Sequence, residues 1–210
     1  MGNNNVLDIL KKVGAVITDG HFVGTSGKHF ATYINKDALY PHTLDTSNVC
    51  KAFAESAKNL NVDVVVGPAL GGMILSQWTA YHLTQITGGE VLGVYAEKTE
   101  NGGQILKRGY DKLVNGKNIL VVEDLTTTGG SVKKVVEKVK ECGGNIVAVS
   151  VMVNKSPKVV TSEFFGVPFL PLATLEVENF NEEECVLCKN NIPVNTNIGH
   201  GKKFLESKGK

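Results

Sequence analysis

The sequence predicts an α/β fold: a doubly wound, mainly parallel sheet with a small amino-terminal hood. Three observations lead there. Four nearly continuous apolar runs rich in β-branched residues, 62–66, 91–95, 119–122 and 146–153, read as parallel strands buried on both faces. The segments between them carry apolar residues at helical spacing and end on glycine pairs. A length of 210 residues, 42% hydrophobic and 20% charged, suits one domain with a substantial core.

In chain order, residues 6–13 read as a short helix, and Thr25-Ser26-Gly27 as the centre of a hairpin. Residues 1–40 are expected to form the hood. Asp45 and Thr46 read as caps of a helix running to about residue 60. After the first strand, Leu75, Trp78, Thr79, His82, Leu83 and Ile86 make an inward helical stripe closed by Gly88-Gly89. After the third, Val132, Val135, Val136 and Val139 make a cleaner stripe. Lys133, Lys134, Glu137, Lys138 and Lys140 face outward there, and Gly143-Gly144 stop the helix. Residues 41–175 are thus the core sheet of a single domain, and 176–210 an irregular tail fraying from Gly199. Ligands are expected at the carboxyl ends of the strands.

A net charge of +1 supplies no broad field for nucleic acid and no polybasic face for a membrane. No run approaches the roughly 20 apolar residues of a bilayer span. The start lacks a signal layout, and Val6 stands where myristoylation wants Ser or Thr. The expectation is a cytoplasmic protein whose four cysteines are reduced.

The chemistry concentrates in Glu123, Asp124, Leu125, Thr126, Thr127, Thr128, Gly129, Gly130 and Ser131, between a strand and a helix. A Thr/Gly turn at a helix start offers amides, hydroxyls and the positive end of the helix dipole to a phosphate. The two acids would repel that phosphate. As carboxylates they instead suit vicinal hydroxyls, so sugar and phosphate are read by consecutive residues. The same loop as a mere helix cap would not require strand, acids, turn and amphipathic helix in strict order. No Lys follows the glycines as in a Walker A loop, and no dinucleotide G-x-G-x-x-G is present.

Residues 121–131 resemble the phosphoribosyl pyrophosphate (PRPP) motif of type I phosphoribosyltransferases. Within that family, Gly20-His21-Phe22 with Thr25-Ser26-Gly27-Lys28-His29 is similar to the substrate region of orotate phosphoribosyltransferases. Residues 65–72, ending Leu70-Gly71-Gly72, are similar to their pyrophosphate loop, and residues 184–188 to a tail found in one branch. The resemblance implies transfer of phosphoribose from PRPP to orotate, giving orotidine 5′-phosphate in UMP biosynthesis. It also implies Mg2+ carried mainly by substrate oxygens and a homodimer with a loop shared across the interface. A purine-using relative and a non-catalytic PRPP sensor share the motif and stay open as alternatives.

The chain departs from the family pattern in places. Lys98 matches the basic residue of the mobile loop, but Asn101, Gly102 and Gly103 follow where many members carry Lys and His. Lys98, Lys107 and Arg108 are the expected pyrophosphate cations, with Asp124 as the fourth catalytic candidate. For orotate, Thr127, Lys155 (where the family has Arg) and Tyr33 are the candidates. Lys155 keeps the charge without the bidentate fork. Cys185-x-x-Cys188 has a zinc-knuckle look but fills only half a tetrahedron. A zinc ion there would need Cys50, Cys142, His200 or a second subunit's pair to complete four ligands. His21, His29, His42 and His82 show no ligand spacing in sequence, and His82 is expected in the core.

Overall fold

The computed structural model describes residues 6–24 and 26–209; Lys210, Thr25 of the expected hairpin and the five residues read for targeting lie outside these. Its centre is a six-stranded sheet in the order β10-β9-β8-β5-β6-β7. The strands are β5 (Val64–Pro68), β6 (Leu92–Lys98), β7 (Gln104–Ile105), β8 (Asn118–Thr126), β9 (Asn145–Asn154) and β10 (Ala173–Thr174). All pairings are parallel except β6 with β7, which form a hairpin. The four expected runs are β5, β6, β8 and β9. The fold class is the one the sequence predicts.

Burial on both faces explains the runs. Leu120, Val122, Ala148 and Met152 pack in one apolar cluster with α2 (Thr43–Ala57) and α3 (Gly71–Thr87). Ile119, Val121, Val149 and Val151 pack in the other, with the valine stripe of α5 (Gly130–Glu141). Fully burying a valine or leucine contributes roughly 1.5–3 kcal/mol, so these two clusters carry much of the fold's stability.

Several local readings change. Asp45 and Thr46 lie inside the first turn of α2 and do not cap it. Asp45 binds Lys12 of α1 (Val6–Lys12) at 2.8 Å, and Thr46 donates to the Leu39 carbonyl at 3.0 Å. On α3, Leu75, Thr79 and Leu83 are buried, but Trp78 and Ile86 sit at the rim, more than a third exposed. The half-buried His82 meets the Ser47 hydroxyl of α2 at 2.9 Å rather than entering the core.

The amino-terminal part holds two small antiparallel pairs, β1 (Val16–Ile17) with β4 (Tyr33–Ile34) and β2 (Phe22–Val23) with β3 (His29–Phe30). A short 3-10 turn, Lys36–Ala38, leads from β4 toward α2. The remaining helices are α4 (Tyr110–Val114), α6 (Ser162–Phe165), α7 (Val186–Lys189) and α8 (Gly201–Ser207). The tail does not fray from Gly199. Phe180 exchanges both backbone hydrogen bonds with His29, the Asn195 amide donates to the His21 carbonyl, and the His200 amide donates to Val23. Phe204 of α8 stands perpendicular to the His29 ring at 4.8 Å. The polar sequence of this segment concealed order that comes from pairing with distant backbone.

Candidate active site

The β8–α5 junction is the centre of the site. β8 stays paired to its end, with Leu125 opposite Val153 and Thr126 opposite Asn154, so the acids sit within the strand rather than after it. Strand alternation then turns adjacent side chains to opposite faces. Glu123 follows Ile119 and Val121 toward α5, and Asp124 follows Leu120 and Val122 toward α2 and α3. The sequence had both acids doing one job on one sugar; the two faces give them different neighbours.

Asp124 is held from several sides. Its Oδ2 accepts from the Tyr40 hydroxyl at 2.8 Å and from Lys36 Nζ at 3.0 Å, while Oδ1 accepts from the Leu125 amide at 2.7 Å. Burial works against the Lys36 charge, but Asp124, together with Asp37 and Glu123, outweighs it and raises the ammonium's pKa. The Tyr40 hydroxyl is pushed far up, by burial first and then by Asp124. Neither Lys36 nor Tyr40 was singled out in the sequence. Gly71, the first residue of α3, borders this cluster: a Cβ there would overlap the Asp124 carboxylate and the Tyr40 hydroxyl. The glycine of the expected pyrophosphate loop is therefore needed for close approach to the acid.

Glu123 lines a cavity of about 230 Å³ together with Pro68, Ala69, Lys98, Gly102, Gln104, Ser131 and Lys134. Burial, and then the Asp124 charge, push its carboxyl well above the usual range. Lys134, expected to be a plain outward charge, donates to the Gly102 carbonyl at 2.6 Å and so ties α5 to the β6–β7 hairpin. The side-chain oxygen of Gln104 is buried there without a hydrogen-bond partner among the described residues.

The Thr/Gly turn is open. Thr127, Thr128 and Ser131 are exposed, and no side chain caps the start of α5, so its first amides remain available to an anion. Gly129 adopts φ 74°, where a side chain is disfavoured, and a Cβ would also strike the Phe164 ring. Leu70 is 77% exposed at the mouth of the first loop, beside the buried Gly71 and Gly72.

Of the expected cations, Lys98 lines the cavity, whereas Lys107 and Arg108 are both paired with Glu97. Lys155 follows β9 and its amide donates to the Thr126 carbonyl at 2.8 Å, which sets it beside the turn. Its side chain is half-buried, burial lowers its pKa, and it has no carboxylate partner among the described residues. Its Nζ lies 5.3 Å from the centre of the Phe30 ring. Tyr33, the aromatic expected beside a base, packs with Phe22 and Phe30 at 5.4 and 6.1 Å. Phe30 is thus the ring that reaches Lys155, and sequence reasoning missed it.

The cysteine pair also finds unexpected company. Cys185 and Cys188 lie with His21 and His29, and the four ligand atoms all fall within 4.8 Å of one another. Cys50 is instead buried in the first apolar cluster, where burial pushes its thiol up to about 12, and Cys142 borders the second. Sequence spacing gave no sign of this for His21 and His29, because hairpin pairing brings together what sequence spacing separates.

Among the described residues no helix is long and apolar enough to cross a membrane. Residues 37–167 match the family described as Phosphoribosyl transferase domain. The orotate phosphoribosyltransferase of a Thermoanaerobacter species is 41% identical over 194 residues, covering 92% of this chain and 96% of the relative. That of Thermotoga maritima is 39% identical over 188 residues, covering 90% and 94%. The crystal structure of the Aeropyrum pernix orotate phosphoribosyltransferase superposes with a TM-score of 0.64 at 25% identity, covering 81% of this chain and 93% of that one. With its acid-bearing strand, open phosphate turn and matching relatives, the chain belongs to the phosphoribosyltransferase family, in the group formed by the orotate phosphoribosyltransferases.

Proposed function

We propose that the chain transfers the phosphoribosyl group of PRPP to a ring nitrogen of orotate, releasing pyrophosphate and forming orotidine 5′-phosphate on the route to UMP. The bond from the sugar carbon to the pyrophosphate oxygen breaks, the bond to the ring nitrogen forms, and the nitrogen's proton is released. The observation that carries the choice of base is Lys155, a half-buried cation beside the phosphate turn with no carboxylate partner among the described residues. Orotate brings a carboxylate that pairs with it.

In this reading the 5-phosphate sits on the amides and hydroxyls of Thr126, Thr127, Thr128, Gly129, Gly130 and Ser131, with Leu125 leading into the turn. Glu123 and Asp124 orient the ribose hydroxyls, and Lys36 and Tyr40 hold Asp124 in place. The loop Leu70-Gly71-Gly72 presents backbone to the pyrophosphate, and Lys98 neutralises it as charge develops in the transition state. Lys107 and Arg108 add to this when the hairpin closes over substrate and they exchange Glu97 for pyrophosphate oxygens. Thr127, Lys155 and the Tyr33–Phe30 ring cluster form the orotate side.

Magnesium fits such a site sparingly. The Asp124 oxygens are already occupied by donors, whereas Glu123 and the orphaned Gln104 oxygen offer oxygen ligands at the cavity. When bound, the ion supplies neutralisation of the leaving pyrophosphate, most of its ligands being substrate oxygens and water. A cytoplasmic homodimer completes the reading. Leu44, Trp78 and Tyr81, exposed by 80, 37 and 53%, give α2 and α3 apolar surface to bury against a second copy.

The test is pyrophosphate release from PRPP and magnesium with orotate, uracil, adenine, hypoxanthine and xanthine offered separately. Turnover with orotate alone is expected. Turnover with a purine only overturns the base assignment, and PRPP binding without turnover on any base overturns the enzymatic reading.

A further inference from the structure

We propose that His21, His29, Cys185 and Cys188 bind one zinc ion in a closed tetrahedral site that fastens the carboxyl-terminal segment to the β2–β3 hairpin. The geometry has the dimensions of such a site. His21 Nε2 lies 2.8 Å from His29 Nδ1, 3.8 Å from Cys185 Sγ and 3.7 Å from Cys188 Sγ, and Cys188 Sγ lies 3.4 Å from His29 Nδ1. Zinc bonds of about 2.0–2.1 Å to nitrogen and 2.3 Å to sulfur make tetrahedral edges of roughly 3.3–3.8 Å. Three of the four nitrogen–sulfur edges match, and the fourth, His29 to Cys185, falls with the rest within 4.8 Å. The two nitrogens need to separate by about half an ångström to reach the tetrahedral value.

The hydrogen bonding points the same way. His21 Nδ1 is 2.7 Å from the Ile192 carbonyl, so that nitrogen carries the proton and Nε2 presents a lone pair to the cluster. This is the carbonyl-anchored arrangement that orients metal-binding imidazoles. His29 is fully buried, and its Nε2 has no hydrogen-bond partner among the described residues. If His29 Nδ1 donates to His21, Nε2 is left as a buried unsatisfied acceptor. If Nε2 carries the proton instead, two nitrogen lone pairs face each other at 2.8 Å. A cation among the four groups removes the second conflict and gives both lone pairs and both sulfurs a ligand.

Charge and ligand type then select the ion. Among the described residues no carboxylate belongs to the cluster, which disfavours magnesium and calcium, and a tetrahedral set of two sulfurs and two imidazoles is a zinc set. Binding displaces one proton from each thiol, so one Zn2+ and two thiolates leave a neutral unit in a buried place. With four protein ligands there is no open position for water, so the role is structural. His21 and His29 flank the hairpin, and the cysteines come from the segment already paired to it through Phe180 and Asn195. Phe30, next to His29, carries the ring under Lys155, so the ion braces the side of the cleft where that lysine stands.

The full-length wild-type protein is stripped with a chelator and refilled with Zn2+ or, separately, Co2+, with Mg2+ as control. Elemental analysis should find one zinc per chain, with two protons released on binding. The cobalt form should show thiolate charge-transfer and tetrahedral d–d absorption. Magnesium should bind none of these ligands. Refilling should slow tryptic cleavage at the exposed Lys189, and Cys188→Ser and His29→Gln should each lose the stoichiometric ion. If either variant misfolds, the wild-type cobalt spectrum decides. Zinc far below one per chain after refilling, a Cys185–Cys188 disulfide in the freshly purified protein, or full zinc retention in folded Cys188→Ser overturns the proposal.

Discussion

Replacing Lys155 with Met tests the base assignment at its most exposed point. Met keeps an unbranched side chain of similar length, so the change removes charge more than volume. Two unit charges 4 Å apart attract by about 4 kcal/mol at an effective dielectric constant near 20. Desolvating ammonium and carboxylate offsets a large part of this. A remainder of about 1.4 kcal/mol is still tenfold in an equilibrium constant. The Michaelis constant for orotate should therefore rise at least about tenfold, while that for PRPP changes little. Stability supplies an independent check. Because burial lowers the lysine's folded-state pKa, the unfolded chain binds the extra proton more readily. The cost of the buried charge is fully present below the folded pKa and is relieved as pH rises through it. At neutral pH Lys155→Met should therefore melt at or above the wild-type temperature. Wild-type kcat/KM for orotate should fall on the alkaline side as Lys155 loses its proton, and the Met variant should lack that limb. The assay is steady-state loss of orotate absorbance with each substrate varied separately, plus a thermal melt. An orotate constant within about twofold of wild type, a change too small for a lost charge pair, refutes the argument.

Other sites give sharper yes-or-no outcomes. Asp124→Asn removes the charged acceptor offered to the ribose hydroxyls and should lower kcat/KM for PRPP by at least about a hundredfold, about 2.7 kcal/mol of transition-state stabilisation; near-normal turnover in a folded variant removes Asp124 from the site. Gly71→Ala drives a methyl into Asp124 and Tyr40. It should impair PRPP use while circular dichroism stays native, and unchanged kinetics would mean that Asp124 needs no fixed position. Ser131→Ala should raise the PRPP constant by about 1–3 kcal/mol equivalent if its hydroxyl contacts phosphate. Equal constants for the two proteins would put the phosphate elsewhere.

What the sequence made legible was what it holds contiguously. Strand, acids, turn and valine-striped helix occupy residues 118–141 without interruption, and local chemistry suffices to read them. Lys36 and Tyr40 were invisible because they reach Asp124 from more than eighty residues upstream, and nothing in their neighbourhood distinguishes them from surface residues. A buried strand acid does demand a donor, but the chain offers 22 Lys and Arg to choose from. The order of the tail was hidden for a related reason. Residues 180–200 are polar, and their partners are backbone groups at positions 21, 23 and 29 rather than a stripe of their own.

The histidine pair was within reach of a longer argument. Once the hairpin is expected, its register settles which side chains share a face. Val23 opposes His29 and Phe22 opposes Phe30, so His21, one step before, lies diagonal to His29 on the same face. Eight residues is poor spacing for two ligands on a helix or a single strand, yet suitable across a tight antiparallel turn. The same period-two rule divides Glu123 from Asp124. One acid is sent to the cavity with Lys98 and Ser131, the other to Lys36 and Tyr40. Adjacent acids on a doubly buried strand therefore meet different protein neighbours even where they serve one sugar and the charge of one still reaches the other, and substituting them singly should give two kinetic defects of different size.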